Sequence, residues 1–498
     1  MNSQIDYKLV ELEEKPKSSS YFSEEQESKF LNLCQQIIQA PNEARFDTIL
    51  DDFIGKDGNN LKGISSPSIL LLSTNMFQRL KFLITNQTKY DFTTIFPIFN
   101  IFNILSLSSD TNFFDNFCLP ENLQLFYFFF QFNGPHIEVL LHILKNIALS
   151  GSNYRNIILR SFHQPGVFEN FQKILNNPND QSTLTTLFHF LHSLTFIPID
   201  QSDINLIIHV FSAFFQCPHL SENQKCIYYL ISAFSNFQKQ NWEHSVEISQ
   251  AFTPIHPYLS QIFNNILSIK DSSQLTSEDK IEIKFIFLFL LCYWADVLHL
   301  NKRNISVPPN TEQVNYINLE DIPFDLNNLF QFTLGWKDDP DILNQTFSFL
   351  GTIGYLSDTI RSSYSTDFFT FINNVILESK SNKVLKSGMI LLVMCLTNMD
   401  SQALTDFYQK NPIWMMMLEN FGNDSDFDFF NVTILGLIGL VIESAVKNGT
   451  IEAVIQQLHD SDAINTLSSW QYKNQYLPSG YQKAASALYS FIENYKKL

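Results

Sequence analysis

Three histidines are the first residues whose spacing could do chemistry. His189 and His192 lie three positions apart, which places both on one helical face, and His142 falls about one repeat earlier. Imidazole nitrogens from neighbouring helices could share a zinc ion. No cysteine or carboxylate in the local sequence completes a four-ligand set, so no metal is expected there. Asp424, Asp426 and Asp428 have the opening spacing of a calcium loop, but Phe429 stands where glycine is required and Leu435 where glutamate is required. A solvated turn is the better reading. The sequence contains no H-E-x-x-H, no G-x-S-x-G and no phosphate-binding glycine loop. No catalytic residue, cofactor or metal is predicted, and the chain does not read as an enzyme.

Function then has to come from surface, and the elements that present it are helical. The 498 residues exceed what one ordinary core can organise, so several domains or a repeat array is expected. Hydrophobic residues make up 45% and charged residues 16%, a globular balance. Glycine and proline, at 15 and 18, are too scarce for a turn-dense β fold, and the 48 phenylalanines take core positions where leucine is usual. Net charge is −18, which repels phosphate backbones and argues against direct nucleic-acid binding; it would attract basic peptides. The apolar runs Phe285–Ala295 and Val432–Ile442 are shorter than a membrane helix needs, and Met1–Phe22 lacks the apolar stretch of a signal peptide. Six scattered cysteines without a C-x-x-C pair fit reduced thiols, so a cytoplasmic or nuclear protein is expected.

A repeat is visible in Ile137–Asn176. Leu140, Leu141, Leu144, Ile147 and Ala148 line one helical face, Ser150–Ser152 breaks it, and two further helical pieces follow, separated at Pro165 and Gly166. With Asn146 as landmark, apolar or small residues stand at −6, −5, −2, +1 and +2. The same frame fits Asn103, Ser193, Ser232, Tyr293, Thr352, Cys395, Gly439 and Ser490. Subtracting successive positions gives intervals of 43, 47, 39, 61, 59, 43, 44 and 51 residues. Most match an armadillo or HEAT unit, and the two long ones point to insertions around Gln238–Pro257 and Asn301–Pro323. Residues 1–27 read as an acidic, disordered tail, and residues 28–498 as the repeat array. Ser28–Gly55 would form an N-terminal cap with Leu31, Cys34, Ile37 and Ile38 on one face, and Gly480–Leu498 a closing helix.

The segment LLHILKNIALSGSNYRNIIL followed by GVFENFQKIL, at Leu140–Leu175, resembles an armadillo repeat and specifically the importin-alpha family. AASALYSFIENY at Ala484–Tyr495 is similar to that family's closing helix. The resemblance implies an all-α, right-handed superhelical solenoid of about nine or ten repeats, whose third helices line a concave groove. In that family, Trp-x-x-x-Asn pairs sandwich lysine and arginine stems and hold the peptide backbone. Here Asn103 and Asn146 keep the amide, and Ser193 and Ser232 replace it. Phe99, His142, His189 and Tyr228 stand at the tryptophan position, as does Phe289 further along. Trp470 and Asn474 match the motif lexically but fall outside the frame, in an expected loop.

The expected function is a non-enzymatic protein-binding adaptor. Its acidic groove would bind linear peptides, including basic nuclear-import signals, through Phe99, Asn103, His142, Asn146, His189, Ser193, Tyr228 and Ser232. The alternative is a scaffold subunit of a cytoskeletal or other assembly. The acidic opening, with Glu11, Glu13 and Glu14 ahead of Glu24, Glu25 and Glu27, departs from the family's basic N-terminal segment and argues against conventional carrier docking.

Overall fold

Why this sequence makes short helices in regular succession is plain from its helix starts. In a computed structural model of the chain, Asp110, Asp180, Asp325 and Asp400 each accept a hydrogen bond from the first turn of the helix they open. Pro120 and Pro412 occupy first-turn positions, where a missing N–H costs nothing. Gly166 adopts a left-handed φ of 84° as it leads into the next helix. The structure describes residues 24–47, 66–86, 92–107, 110–132, 134–196, 203–240, 253–269, 275–304, 325–356, 366–397, 399–422, 429–472 and 479–495. Among these every regular element is helical.

Two compact units divide the chain, Met1–Ile255 and His256–Leu498. The first holds α1 (Glu24–Gln39), α2 (Ser66–Asn86), α3 (Phe92–Ser106), α4 (Thr111–Phe117), α5 (Pro120–Phe128) and α6 (His136–Ser150). It continues through α7 (Ser152–Ser161), α8 (Val167–Asn176), α9 (Gln181–Ser193), α10 (Ile204–Phe215) and α11 (Gln224–Gln240). Here α3 packs on α6, α6 on α9 and α9 on α11, with the shorter helices lying between them in sequence. Phenylalanine fills the space: Phe117 meets Phe126 with ring centroids 4.8 Å apart, Phe130 meets Phe171 at 5.1 Å, and Phe171 stacks on Phe190 at 5.8 Å.

The second unit contains α12 (His256–Leu267), α13 (Ser277–Asn304), α14 (Leu326–Gly335), α15 (Pro340–Leu356), α16 (Thr366–Glu378) and α17 (Asn382–Leu396). It closes with α18 (Ser401–Lys410), α19 (Pro412–Asn420), α20 (Phe429–Asn448), α21 (Ile451–Asp460), α22 (Ala463–Tyr472) and α23 (Ser479–Tyr495). Again the long helices pack in chain order, α13 on α15, α15 on α17, α17 on α20 and α20 on α23.

Several side-chain hydrogen bonds join positions about 40 residues apart. Asn116 donates to Ser73 Oγ across 43 residues, Arg160 Nε to Asp203 across 43 and Asn179 to the Gly134 carbonyl across 45. In the second unit Asn411 donates to Asn373 Oδ1 across 38 residues and Trp414 Nε1 to Gln457 across 43. Where the interval predicted from the landmarks is long, the spacing stretches with it. Cys292 Sγ reaches Gln345 Oε1 across 53 residues, and Lys284 Nζ reaches Asp341 across 57. Some of that length is helix and not insertion, because α13 runs 28 residues to Asn304.

Four expectations change. Helix α1 starts at Glu24, so the predicted tail ends sooner than residue 27, and Phe30, not Leu31, joins Cys34, Ile37 and Ile38 in the core. The break after α6 narrows to Gly151, since Ser152 already begins α7. Trp470 is not in a loop: it lies in α22, buried, with its ring 4.9 Å from Phe421. Phe430–Asn448 is long and apolar enough to cross a membrane by length and composition; 61% of it is buried inside its unit, which makes it a core helix. Asn474, Asp424, Asp426 and Asp428 lie outside the described residues, as do residues 1–23 of the predicted tail.

One turn in the second unit is set for glycine. Gly422 has a φ of 84°, and a Cβ there would overlap the Thr466 side chain. Its N–H donates to Asn431 Oδ1 at 2.9 Å. Gly422→Ala combines left-handed strain with that overlap, and should destabilise the α19–α20 connection by about 2 kcal/mol. Urea unfolding of the full chain checks this; an unshifted midpoint contradicts the packing.

Candidate protein-binding face

The long helices of the first unit bury one stripe each and leave another half-exposed. On α6 the half-exposed stripe carries His142, Lys145 and Asn146; on α9 it carries Thr185, His189 and His192; on α11 it includes Tyr228, Tyr229 and Asn236. Spacings of three and four on α6 and α9, and of seven from Tyr229 to Asn236 on α11, keep these residues on one side.

Contacts between helices fix their positions. The Asn146 amide donates to Ser106 Oγ at 2.8 Å, and Ser106 donates in turn to the Asn103 carbonyl at 2.6 Å. The His189 ring lies flat against Tyr229, centroids 4.4 Å apart and planes 7° apart. His192 packs 4.6 Å from Phe196, which is 44% exposed. The Asn236 amide nitrogen, 3.2 Å from His192 Nε2, can only donate, so His192 accepts there and carries its proton on Nδ1. That Nδ1 is buried without a partner among the described residues.

Electrostatics follow from burial. His189 is pushed down to about 3, first by desolvation and then by Lys145, His192 and His142. His192 falls to about 4 by desolvation. His142 is lowered by desolvation and Lys145, against a small opposing effect of Glu138, whose carboxylate lies 3.9 Å away. Lys145 is itself lowered by desolvation. The three rings are therefore neutral at pH 7, and Lys145 is the cation whose charge acts on His142 and His189. No group of metal-binding side chains forms among the described residues, so the three histidines do not assemble a zinc site.

Five of the eight predicted site residues lie on this half-exposed surface: Asn103, His142, Asn146, His189 and Tyr228. Three do not. Phe99 is fully buried, with its ring 5.0 Å from Phe129 and 6.1 Å from Phe126, so it belongs to the core and not to a ladder of ligand contacts. Ser193 is buried and donates to the Phe190 carbonyl of its own helix at 2.6 Å. Ser232 is buried, with its hydroxyl unpartnered among the described residues. The reason is register. On α9 the accessible line runs through His189 and His192, one residue short of the landmark, and on α11 Tyr229 instead of Tyr228 meets His189. His192 was legible through its i, i+3 relation to His189, and Asn236 through its i, i+7 relation to Tyr229. In the second unit Leu391 and Leu435, four residues before the landmarks Cys395 and Gly439, are buried, and so are the landmarks Tyr293 and Cys395.

The fold is shared with solved structures. Among 104 matching chains is the crystal structure of an engineered protein, a structural genomics consortium target, at a TM-score of 0.52. That match covers 93% of this chain and 98% of the other at 11% identity, a likeness that speaks to fold alone. No family model matches the sequence, and no curated protein matches it.

The predicted acidity is also missing from this surface. Helices α3, α6, α9 and α11 contain one carboxylate, Glu138, against three lysines, Lys145, Lys225 and Lys239. The net charge of −18 is carried elsewhere in the chain.

Proposed function

We propose that the chain is a non-enzymatic, armadillo-like repeat adaptor that binds an extended segment of another protein across α6, α9 and α11. The observation that carries this reading is the row of half-exposed His142, Asn146, His189, Tyr229 and Asn236 on three long helices packed in turn, α6 on α9 and α9 on α11. Flat rings offer surface to side-chain stems, and amides offer donors and acceptors to a backbone that has no sheet of its own to satisfy it. The recurrence of side-chain bonds near 43 residues, and the likeness of Leu140–Leu175 to an armadillo repeat, support the repeat reading.

Short labelled peptides of lysine/arginine-rich, neutral and aspartate/glutamate-rich composition, titrated by fluorescence anisotropy, test it. One class should bind most tightly, and Asn146→Ala and His189→Ala should each weaken that binding on the order of tenfold with the helical fold retained by circular dichroism. Binding that ignores both substitutions moves the site elsewhere. A complete lack of binding favours the scaffold alternative, which draws on the exposed Leu71 and Phe82 of α2, at 60% and 53%.

A further inference from the structure

We infer that the segment bound by this face is acidic, with an aspartate or glutamate carboxylate seated at Lys145. The inference rests on the proposed face and names the chemistry of its occupant. Lys145 is half-buried on α6, three residues from His142 on the same stripe, and no carboxylate among the described residues stands within ion-pair distance of it. A half-buried lysine with no ion partner among the described residues can pair with a ligand carboxylate without first giving up a bond within the protein.

The surroundings exclude the opposite partner. From α3 come Asn103 and Ser106, and that helix has no ionisable residue at all. From α6 come Glu138, His142 and Lys145, from α9 His189 and His192, and from α11 Lys225, Tyr228 and Tyr229. A lysine- or arginine-rich peptide would find one carboxylate, Glu138, already next to His142 at 3.9 Å, and would set its own charges against Lys145. An acidic peptide meets the reverse situation. Its carboxylate pairs with Lys145, and its backbone can use the amides of Asn146 and Asn236. The face offers too few cations to neutralise the phosphates of a long polyanion such as RNA, so a short acidic stretch of a protein is the occupant that fits.

Anisotropy titration of the full chain with labelled acidic, neutral and basic peptides of equal length, at low and moderate salt, decides the matter. The acidic peptide should bind, more weakly as salt rises. Lys145→Glu should cut its affinity on the order of tenfold or more, and Lys145→Gln, which keeps the aliphatic stem and the packing, should cut it nearly as far. Asn146→Ala should weaken acidic and neutral peptides alike. Tighter binding of the basic peptide, with Asn146→Ala still weakening it, overturns the acidic assignment while leaving the face in place. Acidic-peptide affinity unchanged in Lys145→Gln overturns it as well, and so does a single-stranded oligonucleotide that binds more tightly than the peptide. Failure of all three peptides to bind removes the face and the inference together.

Discussion

Phe99→Ala should cost the first unit about 3–5 kcal/mol, the range for emptying an aromatic from a packed core. The ring is wholly buried among Phe126, Phe129 and His136, so little of the cavity can be filled by a simple shift of one neighbour. Hydrogen-exchange mass spectrometry is the suitable measurement because it reports each helix separately in a chain of two units. Protection should fall in α3, α5 and α6 and stay unchanged in the second unit. His142→Ala, at a half-exposed position one period on, should alter protection by no more than about 0.5 kcal/mol. Equal effects of the two substitutions would restore Phe99 to the surface, where the repeat frame alone would have it.

Acid should loosen the first unit well before its carboxylates titrate. His136, His142, His189 and His192 all have folded-state pKa values below the usual imidazole range, chiefly through burial. An unfolded histidine takes up its proton near 6.5, while the folded one resists. Stability is therefore complete above that value and lost as pH falls toward the folded-state pKa. For His192, at about 4, the loss by pH 4 is roughly 3 kcal/mol. Thermal unfolding followed by circular dichroism from pH 7 to pH 4 should show a steep fall, and His192→Gln should flatten part of it. A melting temperature constant across that range would mean that the rings are solvated and that α9 and α11 do not pack as described.

Much of the architecture could be read from punctuation. Ser150–Ser152 marked the end of α6 and Pro165–Gly166 the start of α8 to within a residue or two, because glycine and proline act on the backbone locally. The period was legible because apolar spacing within a helix and recurrence between helices are both sequence patterns. The face was legible only in part. A landmark defined by its apolar neighbours identifies the buried side of a helix, but the line along which two helices part from each other depends on how each is rotated against the next. That rotation left His192 accessible and took Ser193 inward, and it chose Tyr229 over Tyr228. Trp470 was misplaced because Pro478 drew the loop too far back, when α22 continues to Tyr472. Charge went astray for another reason: net charge is a sum, and a sum has no location. Reading the four helices one at a time would have found a single carboxylate among them.

The bonds that link Asn116 to Ser73, Asn179 to Gly134 and Trp414 to Gln457 give the chain a short horizon. Each helix answers to what lies about one period before and after it. A change that disturbs packing can therefore be absorbed by a second change within that distance, with no part of the chain further off having to agree. Such a molecule can rewrite itself piece by piece while its helices stay in place.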